Sequence, residues 1–293
     1  FKWSQAIMLA AHCLRIPVIA ETTALEGDSL LVVRGSRLGW LSYKCVTGAR
    51  MIVNISPALG DAAFATGLPA ERQAVIPNDV DTAFFTAPAS NVAKADLKSK
   101  LGLDGSWLYV ICVAGWWPNK GIDRVLDAFS AVAGDHGKVG LILCGPKNET
   151  ATEPYSGRAN YAAYIHETII ERDLAERVIC TGYTEDIDLW MRASDIFVHA
   201  AAVEGFGNVI IEAMSTELPV AVLSIPGITD WIVSDAADGF VEPTVEGLGD
   251  RVRTLCDEKL RKAIGSSGRQ TVLQRFGTEL VMKQYVDLYR NCL

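Results

Sequence analysis

The sequence has no uninterrupted apolar run that could cross a membrane and no excess of positive charge. Its longest apolar run, Trp107 to Trp117, is well short of the roughly 20 residues that a transmembrane helix needs. Acidic side chains outnumber basic ones, 35 to 27, and the net charge of −8 would repel a polyanion. These absences predict a soluble protein that does not bind nucleic acid.

Paired cysteines and grouped histidines are also lacking. None of the seven cysteines forms a CxxC pair, and Cys112, Cys144 and Cys180 each lie in an apolar, strand-like run. This usage indicates reduced core thiols in a cytosolic protein, not a disulfide or zinc framework. The four histidines share no metal-ligand spacing and form no nucleophile setting with a serine or cysteine. We therefore predict no metal site, and for His199, at the end of a strand, a packing role is favoured over a functional one.

A dinucleotide fingerprint and a leader segment are missing as well. No G-x-G-x-x-G follows any strand-like run, so a dinucleotide-dependent oxidoreductase is a distant alternative. The chain opens at Phe1 and enters an apolar, helix-periodic stretch from Ser4 to Leu14 without a charged n-region or a cleavage-site pattern. We expect from this opening that the chain is cut rather than processed.

What the sequence does contain is an alternation of short β-rich runs with longer helix-periodic segments, which is typical of a parallel sheet covered by helices on both faces. Strands are predicted at Pro17–Ala20, Met51–Asn54, Gln73–Ile76, Leu108–Val113, Val139–Cys144, Val178–Cys180, Ile196–His199 and Val220–Leu223. Helices are predicted at Arg34–Val46, Pro57–Ala65, Ile122–Ala133, Gly157–Arg172, Ile187–Ala193 and Val209–Thr216, with several more after Val245.

The stretch Thr86 to Asn91 has no apolar period and is the best candidate for a linker. We predict a first domain with its linker over residues 1–90, a second domain over residues 91–277, and a helix over residues 278–293 that can cross back to the first domain.

The loop that begins at Glu204 has the features of an anion site at the carboxyl end of a strand. It reads Glu204-Gly-Phe-Gly-Asn-Val-Ile-Ile-Glu212-Ala-Met. Gly205 and Gly207 allow the backbone to pass close to a ligand. The amides that open the next helix, around Asn208 and Val209, present unpaired N–H groups and a positive dipole end. This combination predicts binding of a diphosphate.

Two carboxylates flank that loop. Glu212 lies about one helical turn into the helix, where it can reach a pair of neighbouring hydroxyls such as those of a ribose. Glu204 lies on the other side of the predicted phosphate position, where it can face a sugar. Charge-assisted hydrogen bonds of this kind contribute about 1.5 to 3 kcal/mol each. Either glutamate alone would be an ordinary acid near a helix N-terminus, but their joint spacing favours a binding site.

Lys120 opens another helix, at the end of the loop Val113-Ala-Gly-Trp-Trp-Pro-Asn-Lys120-Gly121. An ammonium group in this position can bind a phosphate as a point charge, although a solvated surface lysine is the ordinary alternative. Two further loops, around Gly145 and Tyr183, also follow predicted strands. Glycine after a strand is common, so these two loops carry little information alone.

These segments together resemble the retaining glycosyltransferases of the GT-B fold (family 4-like, group 1), which include bacterial mannosyl- and glucosyltransferases and glycogen synthases. Glu204 and Glu212 match the E-x7-E signature of that clan. The segments Pro219-Val-Ala-Val and Pro226-Gly-Ile-Thr-Asp230 match its layout, and Ile76-Pro-Asn-Asp-Val-Asp81 resembles its P-N-G-V-D element with an aspartate in place of the glycine.

The Lys120 loop resembles the family's G-R-x-x-x-x-K-G loop, in which an arginine and a lysine neutralise the leaving diphosphate. Here the arginine is missing, and Gly115 or Trp116 occupies its place, depending on the alignment.

The resemblance implies an α/β protein of the GT-B fold, with two Rossmann-like doubly wound domains facing across a cleft. The first domain is expected to be incomplete, because the family's glycine-rich loop and several strands are absent before Phe1. We expect from this that the chain binds a nucleoside diphosphate but transfers sugar poorly.

The function that the resemblance implies is transfer of a hexosyl unit from a UDP- or GDP-sugar donor to a glycan or lipid-linked acceptor, with retention of configuration. No cofactor or metal is needed, because Lys120 and the helix amides can take the charge that develops on the diphosphate. Lys120 and Glu204 are the implied catalytic residues. The implied donor-binding residues are Gly145, Tyr183, Gly205, Phe206, Gly207, Asn208, Val209 and Glu212.

A catalytically weak or inactive nucleotide-sugar-binding module is the alternative, consistent with the missing arginine. A metal-dependent transferase of the GT-A fold is discounted, although Asp79–Asp81 and Asp186–Asp188 both spell its D-x-D motif. The first copy lies between the predicted domains, and the second lies at a helix start, where acids are favoured anyway.

The stretch from Ser29 to Gly60 contains no acid. Its basic residues are Arg34, Arg37, Lys44 and Arg50, interspersed with aromatic residues. A basic helix with aromatics can lie on an anionic membrane surface, as acceptor domains of lipid-dependent transferases of this family often do. An ordinary solvated helix face is favoured, so peripheral contact of a cytoplasmic protein with the inner membrane face, through residues 34–50, is a secondary expectation.

Overall fold

The computed structural model describes residues 2–27, 29–35, 39–147 and 160–292, and these contain nine strands in two parallel sheets. The strands are β1 (Ile19–Thr22), β2 (Met51–Asn54), β3 (Gln73–Val75), β4 (Leu108–Val113), β5 (Val139–Cys144), β6 (Val178–Gly182), β7 (Ile196–His199), β8 (Val220–Leu223) and β9 (Phe240–Glu242). The first sheet has the order β1-β2-β3, and the second has the order β6-β5-β4-β7-β8-β9.

The order of the second sheet reverses between β4 and β7, which pair through Val110 with Ile196 and Ile111 with Phe197. In an open parallel sheet, the loops that leave the carboxyl ends of two such strands diverge and leave a crevice between them. A ligand site is therefore expected at the carboxyl ends of β4 and β7, which lead into the loops that contain Lys120 and Glu204.

Helices connect and cover the strands. They are α1 (Lys2–Cys13), α2 (Leu30–Gly35), α3 (Gly39–Thr47), α4 (Pro57–Phe64), α5 (Asn91–Lys100), α6 (Ile122–Asp135), α7 (Tyr161–Glu171), α8 (Ile187–Ala193), α9 (Asn208–Ser215), α10 (Thr229–Ile232), α11 (Val245–Thr254), α12 (Glu258–Arg275) and α13 (Thr278–Cys292). Two short 3-10 turns lie at Ala70–Arg72 and Pro118–Lys120.

The second sheet is apolar on both faces because helices cover both. Along β4, Val110 and Cys112 belong to one core cluster, and Tyr109 and Ile111 belong to the cluster on the opposite face. This alternation follows from the two-residue period of a strand, and it explains why β4 is a nearly continuous apolar run in the sequence.

Most predicted strands agree with the structure, with one displacement and one omission. β1 begins at Ile19, two residues after the predicted start at Pro17, since proline has no N–H to donate to a ladder. β9 was not predicted; it has three residues and is the edge strand beside β8.

The predicted single helix Arg34–Val46 was wrong. The structure has two helices, α2 and α3, on either side of residues 36–38, which lie outside the described residues. A Cβ atom on Gly39 would overlap the Arg34 carbonyl, so the close approach of the two helix ends requires glycine. The predicted helix Gly157–Arg172 corresponds to α7, and the first residues of that prediction, 157–159, also lie outside the described part.

The final helix, α13, packs on the first sheet although it follows the second along the chain. Val281 forms a buried cluster with Val53 of β2 and Ile76, and Tyr285 packs against the same cluster. At the start of this helix, the N–H of Val80 donates to the carbonyl of Phe276 at 2.9 Å. These contacts fasten the segment that follows β3 to the end of α12.

The surface around α3 exposes apolar side chains next to basic ones. Trp40 is 64% exposed, and the ammonium of Lys44 lies 5.9 Å from the centre of its ring. Arg34 and Tyr43 instead donate to the carbonyl of Thr66, each at 3.0 Å, and so hold α2 and α3 to the fold. Arg37 lies outside the described residues. None of the described helices combines the length and the apolar character that crossing a bilayer requires.

Candidate functional site

A cavity of about 570 Å³ opens at the carboxyl ends of the strands of the second sheet. All ten residues predicted from the sequence line it: Lys120, Gly145, Tyr183, Glu204, Gly205, Phe206, Gly207, Asn208, Val209 and Glu212. The first sheet closes the opposite side with Thr23, Ile55 and Asn78. The cavity therefore lies in a cleft between the two sheets.

Two loops bring Lys120 next to Glu204. The 3-10 turn Pro118–Lys120 ends at Gly121, which has a φ of 68° and on which a Cβ would overlap the Ala200 carbonyl. The N–H of Ala202 also donates to the carbonyl of Asn119 at 2.8 Å. Because the loops after β4 and β7 touch in this way, Lys120 Nζ lies 2.6 Å from Glu204 Oε1.

His199, the last residue of β7, contacts the same carboxylate oxygen. Its Nε2 lies 3.1 Å from Glu204 Oε1, and its side chain is 2% exposed. Burial alone would raise the pKa of the Glu204 carboxyl, but the hydrogen bond and charge of His199, together with Lys120, outweigh burial and lower it to about 2. Glu204 is thus a fixed anion at neutral pH.

Glu212 has the opposite environment. It lies in the second turn of α9 and lines the cavity, but the structure shows no hydrogen bond or ion pair from its carboxylate to any described residue. Burial raises the pKa of this carboxyl to about 7. The half-buried carboxylate faces the open cavity, where its oxygens can accept hydrogen bonds from hydroxyl groups of a ligand.

Three glycines shape the floor and rim of the cavity. Gly207 has a φ of 110° and precedes α9, so the first amides of that helix have no side-chain cap. Gly145 has a φ of 148°, and a Cβ there would overlap the Ala114 carbonyl. On Gly205 a Cβ would overlap the carbonyl of Thr23, which comes from the first sheet. A larger residue at Gly145 or Gly205 would push apart the loops that meet there.

Two aromatic residues of the predicted site have different surroundings. Phe206 is 2% exposed, and its ring packs edge-on against Trp231 and Phe276 with centroids 6.0 and 5.8 Å apart. Its side chain anchors the loop in the core, which leaves its backbone to face the cavity. Tyr183 is 72% exposed at the rim, where its ring offers a face on which a base can stack.

The structure shows why neither candidate position replaces the missing arginine. Gly115 lines the cavity, but the ring of Trp117 fills the space where a side chain of residue 115 would begin. Trp116 is fully buried, with Lys147 Nζ 5.1 Å from its ring. Among the described residues that line the cavity, Lys120 is the single lysine or arginine.

The two D-x-D segments have local structural roles. Asp81 Oδ1 accepts from the N–H groups of Ala83 and Phe84, and Asp188 in the first turn of α8 lies 3.6 Å from Arg192. Nowhere in the described part of the chain do three or more His, Cys, Asp or Glu residues gather as a metal-ligand set.

Residues 93–271 match the family described as Glycosyl transferases group 1, and this span covers more than half of the chain. The chain belongs to the group 1 glycosyltransferase family. The segments before residue 93, which include Thr23, Ile55 and Asn78, lie outside the matched span.

Two curated relatives of the chain have names that specify their reactions. It is 26% identical over 223 residues to the lipopolysaccharide core biosynthesis mannosyltransferase LpsB of Rhizobium meliloti, covering 75% of this chain and 61% of the relative. It is 29% identical over 218 residues to the UDP-Gal:alpha-D-GlcNAc-diphosphoundecaprenol alpha-1,3-galactosyltransferase of Escherichia coli, covering 73% of this chain and 53% of the relative. The chain thus spans little more than half the length of these relatives.

The fold is similar to that of HepE from Anabaena, whose crystal structure contains UDP and glucose. The two structures share 23% sequence identity with a TM-score of 0.83, and the match covers 99% of this chain and 76% of HepE. The likeness confirms the predicted α/β architecture of the GT-B type.

Proposed function

We propose that this group 1 glycosyltransferase moves a hexosyl unit from a nucleoside-diphosphate sugar to a hydroxyl of a glycan or lipid-linked acceptor, with retention of configuration. The observation that carries the proposal is the shared cavity, in which the uncapped N-terminus of α9, the Lys120–Glu204 pair and the unpartnered Glu212 face one space. The donor is UDP- or GDP-linked, in keeping with the UDP named for HepE and for the E. coli relative.

The donor is proposed to lie along the start of α9. Its diphosphate accepts hydrogen bonds from the amides around Asn208 and Val209, where the helix dipole is positive. Glu212, about one turn further, accepts from the two ribose hydroxyls. The base stacks at the rim near Tyr183, above the backbone of Gly145.

The hexosyl group is proposed to lie on the other side of the diphosphate, near Glu204 and Gly205. Glu204 accepts hydrogen bonds from sugar hydroxyls through Oε2, because Oε1 already contacts Lys120 and His199. Lys120 and the helix amides stabilise the negative charge that grows on the leaving diphosphate, so neither a metal nor another cofactor is part of the proposal. Retention is inferred from the E-x7-E spacing.

The acceptor is proposed to enter the cleft from the side of the first sheet. The names of both relatives point to membrane-associated glycans: one acts in lipopolysaccharide core biosynthesis and the other on a diphosphoundecaprenol-linked sugar. The surface around Trp40 and Lys44 would then contact the anionic inner face of the membrane from the cytoplasm.

The test is a panel of UDP-, GDP- and ADP-hexoses, with release of free nucleoside diphosphate as the readout. We expect release from one nucleotide class and an α-linked product by NMR when an acceptor is added. A β-linked product from an α-linked donor would contradict retention, and no binding of any nucleoside diphosphate by calorimetry would contradict the proposal as a whole.

The second candidate function is a nucleotide-sugar-binding module with little or no turnover. The absence of a second cation from the described cavity lining favours it, because the leaving diphosphate then has one ammonium where the family provides two cations. Tight binding of a nucleoside diphosphate without release from any sugar donor, with acceptors present, would establish this function instead.

A further inference from the structure

The end of β7 buries a histidine against the carboxylate that faces the donor sugar. His199 Nε2 lies 3.1 Å from Glu204 Oε1, and the His199 ring stacks on Phe197 of the same strand at an interplanar angle of 12°. Its Nδ1 is buried and has no partner among the described residues. The only polar contact of this ring in the described structure is thus the one with Glu204.

The chemistry of the pair fixes the direction of the hydrogen bond. An ionised carboxylate can only accept, so Nε2 of His199 carries a proton and donates. This holds for the neutral tautomer and for the cation, because Nε2 bears a hydrogen in both. The contact therefore does not depend on the charge of the imidazole.

Lys120 makes the second contact with the same oxygen, but it differs from His199 in mobility. The Lys120 side chain is 30% exposed on a flexible stem, whereas the His199 side chain is 2% exposed within a strand. Negative charge on a bound diphosphate would attract the Lys120 ammonium away from Glu204. The buried imidazole has no comparable freedom to follow.

We propose that His199 is a positioning residue, which holds Glu204 Oε1 while Lys120 turns to the diphosphate and so keeps Oε2 directed at the donor sugar. This rests on the proposed function, because it assigns the sugar to Glu204. Lys120 can then bind either the Glu204 carboxylate or the diphosphate, because Glu204 keeps its hydrogen bond from His199 when Lys120 turns away.

Two amide variants separate this role from simple packing. His199→Gln places an amide nitrogen near the position of Nε2, where it can donate to Glu204. His199→Asn places the same chemical group near the position of Nδ1, one methylene short of Glu204. A packing role predicts similar behaviour for the two variants, whereas the positioning role predicts that only glutamine retains function.

The experiment measures calorimetric affinity for UDP and UDP-glucose, with GDP and GDP-mannose in parallel, and donor kcat/KM, for the wild type and both variants. We expect UDP affinity within about twofold in all three proteins. We expect His199→Asn to lose on the order of tenfold in kcat/KM and in affinity for the sugar nucleotide, and His199→Gln to stay near the wild type. Equal losses in both variants, or no loss in either, would overturn the proposal.

A double-mutant cycle with Glu204→Ala tests whether His199 acts through the glutamate. The asparagine substitution should have almost no further effect once the carboxylate is gone, and an undiminished effect would show that His199 acts elsewhere. If the asparagine variant fails to fold, His199→Leu, which fills the space beside Phe197, replaces it in both comparisons. Failure of the wild type to bind UDP or GDP would instead count against the proposed function itself.

Discussion

At the scale of single residues, the cavity is lined by two glutamates whose pKa values are shifted in opposite directions. The pKa of Glu204 is lowered to about 2 and that of Glu212 is raised to about 7, although both residues are half-buried. The difference comes from partners: Glu204 has a lysine and a histidine, and Glu212 has none among the described residues. At neutral pH, Glu204 has a constant charge and Glu212 is close to its titration midpoint.

This midpoint predicts a pH-dependent affinity for nucleotide. The ionised form of Glu212 is the better acceptor for the ribose hydroxyls, so the affinity for nucleoside diphosphate should rise between pH 6 and pH 8. Glu212→Gln should weaken binding at pH 8 by about 1.5 to 3 kcal/mol and flatten the pH dependence. Calorimetric titrations of both proteins at pH 6, 7 and 8 provide the measurement, and parallel pH profiles would exclude Glu212 as the ribose ligand.

Thermal unfolding of the same variant provides its control. A carboxyl group whose pKa is raised by folding destabilises the folded state once the pH rises through that pKa, here about 7. Glu212→Gln should therefore raise the unfolding temperature at pH 8 and change it little at pH 5. A lowered unfolding temperature at both pH values would indicate damage to the fold rather than loss of a ligand contact.

Lys120 is predicted to act mainly on turnover. Its attraction to the diphosphate grows as negative charge builds on the leaving group, so Lys120→Ala should lower kcat by a larger factor than it lowers donor affinity. Lys147→Ala is the matched control, because Lys147 follows β5 near the same edge of the sheet but does not line the cavity. Steady-state kinetics combined with direct donor binding gives both quantities. Equal losses of the two would argue against a role in the transition state.

At the scale of elements, α5 is held to the second sheet by charge. Asp195, which precedes β7 and is 8% exposed, accepts from Lys98 at 2.9 Å and from Lys94 at 2.8 Å. It also accepts from the N–H of Tyr109 at 2.9 Å. Although burial alone would raise the pKa of this carboxyl, the two lysines lower it below its ordinary value of 3.8.

Asp195→Asn should destabilise the protein by about 3 kcal/mol, because two partly buried ammonium groups lose their counter-charge. The lowered pKa means that the ion pairs stabilise the fold above the ordinary pKa of an aspartate and that this contribution is lost as the pH falls through the folded value. The gap between wild type and variant should accordingly narrow below about pH 4. Urea unfolding at several pH values measures this difference in stability. Asp135→Asn is the control: it removes an exposed ion pair with Arg253 and should change the free energy of unfolding by less than about 1 kcal/mol.

Two elements, α5 and β9, were not predicted because neither has a clear hydrophobic pattern in the sequence. α5 has few apolar residues, so the hydrophobic period that reveals a helix is weak, and its anchor is an ion pair with a residue almost 100 positions later. β9 is a short edge strand whose residues need not be apolar on both sides. The central strands were predicted correctly because helices cover both their faces and the sequence must be apolar throughout.

At the scale of the whole molecule, the two sheets approach each other at glycines. Gly227 has a φ of 72°, and its carbonyl oxygen accepts a hydrogen bond from the N–H of Ala58 at 3.3 Å. A Cβ on Gly227 would lie 2.9 Å from that nitrogen. Asn78 donates to Asn208 at 2.8 Å beside the cavity. One backbone contact and one side-chain contact therefore join the two sides of the cleft.

Gly227→Ala should push the two sheets apart and reduce transfer, while nucleoside diphosphate binding, which depends on the loops of the second sheet, changes by less than about threefold. Gly67→Ala is the matched control: its φ of 89° imposes the same kind of backbone strain, but nothing lies within 4 Å of the added carbon. Small-angle X-ray scattering reports the separation. An unchanged scattering profile with full transfer would show that this contact does not set the cleft.

The cavity is lined by loops of both sheets, and this explains which of its residues could be predicted from the sequence. Strand ends, glycines and a helix start are local features, and they identified ten of the residues that line the cavity from the side of the second sheet. Thr23, Ile55 and Asn78 reach the cavity only because the two sheets face each other, and no local pattern records that distance. Two signals were available: all three residues follow strands of the first sheet, two of them immediately, and Asn78 lies in the segment that resembles the family's P-N-G-V-D element. The assignment of domains stays a prediction.

The contact between Lys120 and Glu204 joins positions that are 84 residues apart in the chain, across the reversal in strand order. Closing so long a loop is entropically costly, and it becomes favourable only after the intervening strands β5 and β6 have paired. The cavity should therefore assemble after the folding transition state. Glu204→Gln should speed unfolding and leave the refolding rate nearly unchanged in stopped-flow experiments, since interactions formed after the barrier affect only the unfolding limb. The donor site is then expected to be among the first parts of the second sheet to open on unfolding.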